Sequence, residues 1–216
     1  MIRVTLMVVL VLSAIPAFAQ EATDKPTTTI DFRGGTWKHG EFYEITELVH
    51  TRGRLEPKIA VRLFSSPHDE RDEKEVTLGF GFELFKGEKY VLSQDVLVSR
   101  AWTKTGETAT YLQPVVRASV ELHEKLWVEL MGFPYVPLGH GDLQWVLERA
   151  RATYKITSFL GLVGGMGATE LPGSWSHTPL ADIVVMPAGG KYGSLEVGYQ
   201  GGLQIRYVVA MSRHHK

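Results

Sequence analysis

Between Val76 and Leu84 every even position is apolar (Val76, Leu78, Phe80, Phe82, Leu84), and every odd one is small or charged (Thr77, Gly79, Gly81, Glu83). A period of two sends successive side chains to opposite faces of an extended strand, so this segment has one greasy face and one wet face. The pattern recurs. In 115–122, Val116, Ala118, Val120 and Leu122 oppose Arg117, Ser119 and Glu121; in 149–156, Ala150, Ala152, Tyr154 and Ile156 oppose Arg149, Arg151, Thr153 and Lys155. A shorter version runs through Ile59, Val61 and Leu63. Around Tyr90–Trp102 the phase is spoiled by Gln94 and Arg100, which predicts a bulge or irregular edge there.

The C-terminal stretch carries the longest alternation. Leu195, Val197, Tyr199, Leu203, Ile205, Tyr207, Val209 and Met211 share the odd phase, broken only at Gly201, while Glu196, Gln200, Gln204 and Arg206 occupy even positions. A two-residue turn at Gly201-Gly202 would pair Gln200 with Leu203 on one face and contradict the phase on both sides. One long strand keeps it, as does a three-residue loop that pairs Tyr199 with Leu203; the single strand is the expectation. Residues 86–89, 123–125 and 157–158 read as very short connections. Residues 65–75, 104–108 and 169–179 read as longer polar loops.

The chain has 216 residues, a formal charge of −1 and no cysteine. That excludes a disulfide scaffold, a thiolate metal site, a thiol nucleophile and the strong positive field of a generic nucleic-acid binder. Residues 1–19 hold Arg3, an apolar run over 4–14 and the small-residue site Ala17-Phe18-Ala19, the pattern of a cleaved secretory signal peptide. The mature chain is expected to begin at Gln20, with no cysteine there for a lipid anchor. Residues 20–40 read as a loose polar leader, 41–211 as one β domain and 212–216 as a tail. No later apolar run reaches the roughly 18 residues a spanning helix needs.

Aromatic residues gather near strand ends: Phe85 and Tyr90 at one turn, Trp102 and Tyr111 at another, then Trp127, Phe133, Tyr135, Tyr154 and Phe159. A bilayer interface selects rings at that depth. An exported chain of about ten alternating runs with short turns and aromatic strand ends resembles the bacterial outer-membrane β-barrel class. The last strand is similar to the sorting signal of such barrels in Gln200, Gly202, Ile205 and Tyr207, although the chain runs on through Ser212 to Lys216 instead of stopping at an aromatic residue. The resemblance implies an all-β, antiparallel transmembrane barrel of about ten strands (range eight to twelve) in the outer membrane. Its partners would be membrane lipid and the barrel-assembly machinery.

With the apolar phase toward lipid, the other phase lines the lumen: Glu83, Arg117, Glu121, Glu129, Arg149, Arg151, Lys155, Glu196 and Arg206. Four acids and five bases nearly balance. Buried charges need partners, so a paired, occluding network is favoured over a basic ladder of Arg149, Arg151 and Lys155 that would attract an acidic solute. The expected function is a structural role or passive permeation of small solutes, with no enzyme activity, cofactor or metal. Ser174, Ser176 and His177 share one predicted loop, but no elbow, spacing or acid makes them a hydrolase site. His68, Asp69, Glu70 and Asp72 are interleaved with Arg71 and Lys74 and read as a self-neutralising loop, and His214 and His215 as a frayed tail. No phosphate loop, HExxH or Walker sequence is present. The alternative is a soluble periplasmic lipocalin-like barrel binding a small apolar ligand, on the strength of Gly35-Thr36-Trp37. It would turn each of these apolar faces inward.

Overall fold

The computed structural model describes residues 26–36, 42–65, 73–140, 142–171 and 173–212. The predicted signal peptide, Gln20, Trp37 and residues 68–72, 214 and 215 lie outside them. Twelve strands form one closed antiparallel barrel: β1 (Thr27–Thr36), β2 (Phe42–Thr51), β3 (Leu55–Ser65), β4 (Glu73–Lys86), β5 (Tyr90–Thr103), β6 (Thr108–His123), β7 (Leu126–Pro137), β8 (Gln144–Lys155), β9 (Leu160–Leu171), β10 (Ser174–Val185), β11 (Ser194–Gln200) and β12 (Leu203–Ser212). Each strand pairs with its sequence neighbours, and β1 closes on β12 from Thr27↔Ser212 to Gly35↔Gln204. Closure leaves no unpaired strand edge. An even strand count brings the start of β1 and the end of β12 to the same end of the barrel.

Twelve strands replace the expected ten for two reasons. β1 occupies residues 27–36, inside the segment expected to be a loose leader. Only Ile30 and Phe32 are strongly apolar there, yet pairing with β2 and β12 satisfies its backbone on both sides, which is enough to order it. The C-terminal alternation is two strands, not one. Tyr199 pairs with Leu203 around a three-residue loop, Gln200 N–H donates to Gly202 O at 2.9 Å, and Gly201 sits at φ +74°, where a side chain would be strained. Three intervening residues return the chain in the same phase, so periodicity alone cannot separate this hairpin from a continuous strand.

Other local expectations shift as well. Residues 169–179 are not a long loop: β9 runs to Leu171, β10 starts at Ser174, and Gly173 at φ +75° turns the chain between them. β5 pairs with β6 without a break from Tyr90↔Val120 to Trp102↔Thr108. The irregularity expected in β5 falls on the facing strand, where the register shifts between Glu83 and Phe85. β8 carries a bulge: from Leu147 to Ala150 it advances three residues while β9 advances two, from Ala168 to Met166.

The outer surface is apolar. Leu78, Phe80, Val116 and Val120 are exposed, with Leu78 and Phe80 above 50%. This removes the lipocalin alternative, which needs those side chains packed inside. Phe85, Tyr90, Tyr154, Phe159 and Tyr192 are exposed near the end that holds the chain termini, and Phe42, Trp102, Trp145 and Trp175 near the other. Two aromatic rings bounding an apolar belt are the mark of a barrel standing in a bilayer. Some strand-end rings belong to the interior instead: Phe133 is buried, and Tyr111 and Tyr135 meet edge to face at 5.3 Å.

Candidate functional site: the barrel interior

The buried set reverses the usual globular order, because its polar and charged members outnumber its apolar ones. Asp31, Lys58, Glu75, Asp95, Arg149, Arg151, Asp182 and Glu196 are all less than 9% exposed. They come from the phase opposite the apolar belt, so the period-two pattern that greases the outside also charges the inside. A small apolar patch of Leu97, Val115 and Phe133, with Met131, Tyr135 and Val146 against it, covers part of one wall.

Four groups hold most of the charges, the second and fourth joined by Arg33, which donates to Asp31 at 3.0 Å, and Asp182 stands outside them, accepting from Gln204 at 2.7 Å. In the first, Lys58 Nζ donates to both carboxylate oxygens of Asp95 at 2.9 Å, and Arg117 Nη2 donates to Asp95 at 2.9 Å and to Glu56 at 2.6 Å. Gly81 makes room for it, since a Cβ there would lie 2.8 Å from Lys58 Cε and 2.9 Å from Nζ. In the second, Arg206 donates to Asp31 at 2.8 Å and reaches Glu196 at 3.4 Å, while Arg151 donates to Glu196 at 2.8 Å and to Glu129. In the third, Glu75 accepts from Gln113 at 2.7 Å, Thr77 at 3.1 Å, Arg62 at 3.3 Å and Tyr135 at 3.4 Å, and Arg62 also donates to the Tyr135 oxygen. The fourth is Arg33, Glu148 and Arg149. Arg33 donates to Glu148, and Arg149 Nη2 donates to the same Glu148 oxygen at 2.6 Å.

Among the described residues two sizeable cavities lie in this interior. The upper one, toward the turn at 104–107 and residues 138–140, has a volume of about 370 Å³. Its described lining includes Arg62, Glu73, Glu75, Asp142 and Glu148 with the rings of Phe64, Tyr111, Phe133 and Tyr135. The lower one, about 260 Å³, is lined by Asp31, Glu47, Glu56 and Glu129 and by Arg33, Arg117, Arg149 and Arg206.

Of the nine residues singled out from sequence, Arg117, Glu129, Arg149 and Arg206 line the lower cavity, and Arg151 and Glu196 border a void of about 20 Å³ beside it. Glu83 is opposite Ser93, another lower-cavity residue, and pairs with Lys86 at 3.4 Å. Glu121 is opposite Trp127, and the Lys155 ammonium sits 3.9 Å from that indole's centroid. Lys155 is therefore apart from Arg149 and Arg151, each held by a carboxylate, and the three do not form a free basic ladder. Ser176 and His177 are consecutive strand residues on opposite faces, opposite Thr169 and Ala168, so they do not converge as a catalytic pair.

Sequence reasoning passed over Asp31, Arg33, Lys58, Arg62, Glu75, Asp95 and Glu148. Lys58 and Arg62 are even positions on either side of Ile59 and Val61, in the phase opposite Ile59, Val61 and Leu63, and that signal could have found them. Asp31 and Arg33 were hidden in the polar leader. Glu148 was hidden by the bulge, which turns it and Arg149 to the same side.

No protein-family model matches the chain, and no curated protein sequence matches it. Among solved structures, the barrel is similar to the KdgM porin, with a TM-score of 0.60 at 12% identity over 86% of this chain and 99% of that one. It is also similar to the KdgM porin in complex with disordered oligogalacturonate (TM-score 0.59, 13% identity, 86% and 99% covered) and to the NanC porin (0.53, 11%, 86% and 100%). At these identities the likeness is one of fold: a closed β-barrel like those of these porins.

Proposed function

We propose that this protein stands in the outer membrane of a bacterial cell envelope and lets small polar solutes pass passively along its lumen, without catalysing a reaction. One observation carries the reading: an apolar belt between two aromatic rings encloses an interior of charged side chains with two cavities in it. Hydrocarbon accommodates the outside, and only water or polar solutes are compatible with the inside. The fold likeness to the porins supports the same reading. The oligogalacturonate bound by the KdgM porin is an acidic solute, and here that class is disfavoured. Carboxylates accept from most of the interior guanidinium groups, so little free positive charge is left to attract an anion.

Two measurements test the proposal. Protein refolded into detergent and added to a planar bilayer should give discrete conductance steps; persistent silence from folded protein would reject permeation. Preparations without detergent should aggregate, because the outer belt has no other cover. A monodisperse sample in plain buffer would reject the membrane placement.

A further inference from the structure

The two cavities meet at one cluster. Glu148 lines the upper cavity, where neither Arg33 nor Arg149 appears; Arg33 and Arg149 line the lower one, where Glu148 does not. All three border the 20 Å³ void on the remaining flank, space for about one water molecule. The bond from Arg33 to Glu148 joins β1 to β8, with four strands between them one way round the barrel and six the other. It therefore ties nearly opposite walls together. The β8 bulge lets both members of the Glu148-Arg149 pair point inward, one to the tie and one beside it.

We infer that the Arg33–Glu148 ion pair is a removable bar across the lumen, the constriction that limits passage between the two chambers. The inference rests on the permeation reading and names the residues that control it. Arg149 is the internal control. It is the same size and stands at the same level as Arg33, and it holds Glu148 from the same wall without crossing the lumen. Arg33 has other acids to hold, with Asp31 at 3.0 Å and Glu47 at 3.9 Å. Glu148 is the one acid within ion-pair reach of Arg149 among the described residues. Removing Glu148 therefore opens the bar and also leaves a cation without its partner at the constriction.

The test compares single-channel conductance and reversal potential in a KCl gradient for the wild type, Arg33→Ala, Arg149→Ala and Glu148→Ala. Each protein is first shown to be folded by its heat-dependent gel shift. Arg33→Ala and Glu148→Ala should raise conductance about twofold or more, as expected when a side-chain constriction is widened. Arg149→Ala should raise it clearly less than Arg33→Ala does, because Arg149 does not cross the lumen. Glu148→Ala should also move the reversal potential toward anion preference, whereas Arg33→Ala should not. Arg33→Lys keeps a cation that Asp31 and Glu148 can both hold, so it should keep the bar and leave conductance near wild type, which guards against a folding defect in the alanine variant. Equal conductance gains in Arg33→Ala and Arg149→Ala, or no gain in any variant of a conducting barrel, would overturn the bar alone. Silence from every folded variant would overturn the permeation reading together with it.

Discussion

The two chambers are built from the same strands in opposite chemical styles. Among described lining residues the upper one sets four carboxylates, Glu73, Glu75, Asp142 and Glu148, against the single guanidinium of Arg62, and adds four aromatic rings. The lower one sets Asp31, Glu47, Glu56 and Glu129 against Arg33, Arg117, Arg149 and Arg206, and has no ring. Balanced charges close enough to bond can consume one another and fix the walls; an excess of one sign leaves a field for solutes to feel. The lower chamber is thus the structural half of the lumen, and the upper one is where selectivity toward cations would arise. The comparison can be broken by showing that stability depends on the upper charges, or that the lower ones can be neutralised without a loss of stability.

The largest expected effect is on the lower wall. Asp95, 1% exposed, holds Lys58 and Arg117 together, and among the described residues Glu56 is the only other acid within ion-pair distance of either cation. Removing one partner of a buried ion cluster leaves charge without compensation, so Asp95→Ala should cost about 3 kcal/mol or more in reversible urea unfolding from lipid or detergent. A loss below about 1 kcal/mol, the range of a surface pair, would mean that this cluster is hydrated and the lower half is not the rigid one.

A smaller effect is expected at the upper wall. The Tyr135 hydroxyl donates to Glu75 and accepts from Arg62, linking β7 to β3 and β4. Tyr135→Phe keeps the ring packed on Phe133 and Tyr111 and deletes only this link. Glu75 retains Gln113, Thr77 and Arg62, so the loss should be about 1 kcal/mol in the same unfolding assay. A loss matching that of Asp95→Ala would place the mechanical centre of the barrel in the upper chamber and reverse the comparison.

How far these features could be read from the sequence follows from the physics of a strand. Alternation is a local signal, so β4, β6 and the lower half of β8 were legible, together with the inward phase of Arg117, Arg149 and Arg151. A bulge adds one residue and flips the phase beyond it, and nothing in Leu147-Glu148-Arg149-Ala150 announces that. The residue that ties the two walls together was therefore invisible. The strand β1 was missed for another reason. Its sequence, TTTIDFRGGT, has too little apolar surface to order itself, and it is a strand because β12 returns to pair with it across nearly the whole chain. Long-range pairing of this kind leaves no local trace. Gln94 spoiled the phase of β5 without spoiling its ladder, since a strand's hydrogen bonds do not depend on which side chain faces lipid.

The smallest expected change in stability accompanies the sharpest test of selectivity. Glu73 and Asp142 border the upper cavity, both are exposed, and neither takes part in an ion pair among the described residues. The double variant Glu73→Gln, Asp142→Asn should therefore unfold within about 0.5 kcal/mol of the wild type. Neutralising two carboxylates at a narrow, low-dielectric mouth removes much of its negative potential, so the reversal potential in a KCl gradient should move toward anion preference, and more so at low salt. The matching change below, Glu47→Gln with Glu129→Gln, takes away acids that Arg33 and Arg151 already engage. It should lower stability more and, by freeing those guanidinium groups, also move selectivity toward anions. The discriminating quantity is therefore the ratio of the two effects. A selectivity shift with intact stability for the upper pair, and a stability loss with any shift for the lower pair, would confirm the division between the chambers. The opposite assignment would refute it.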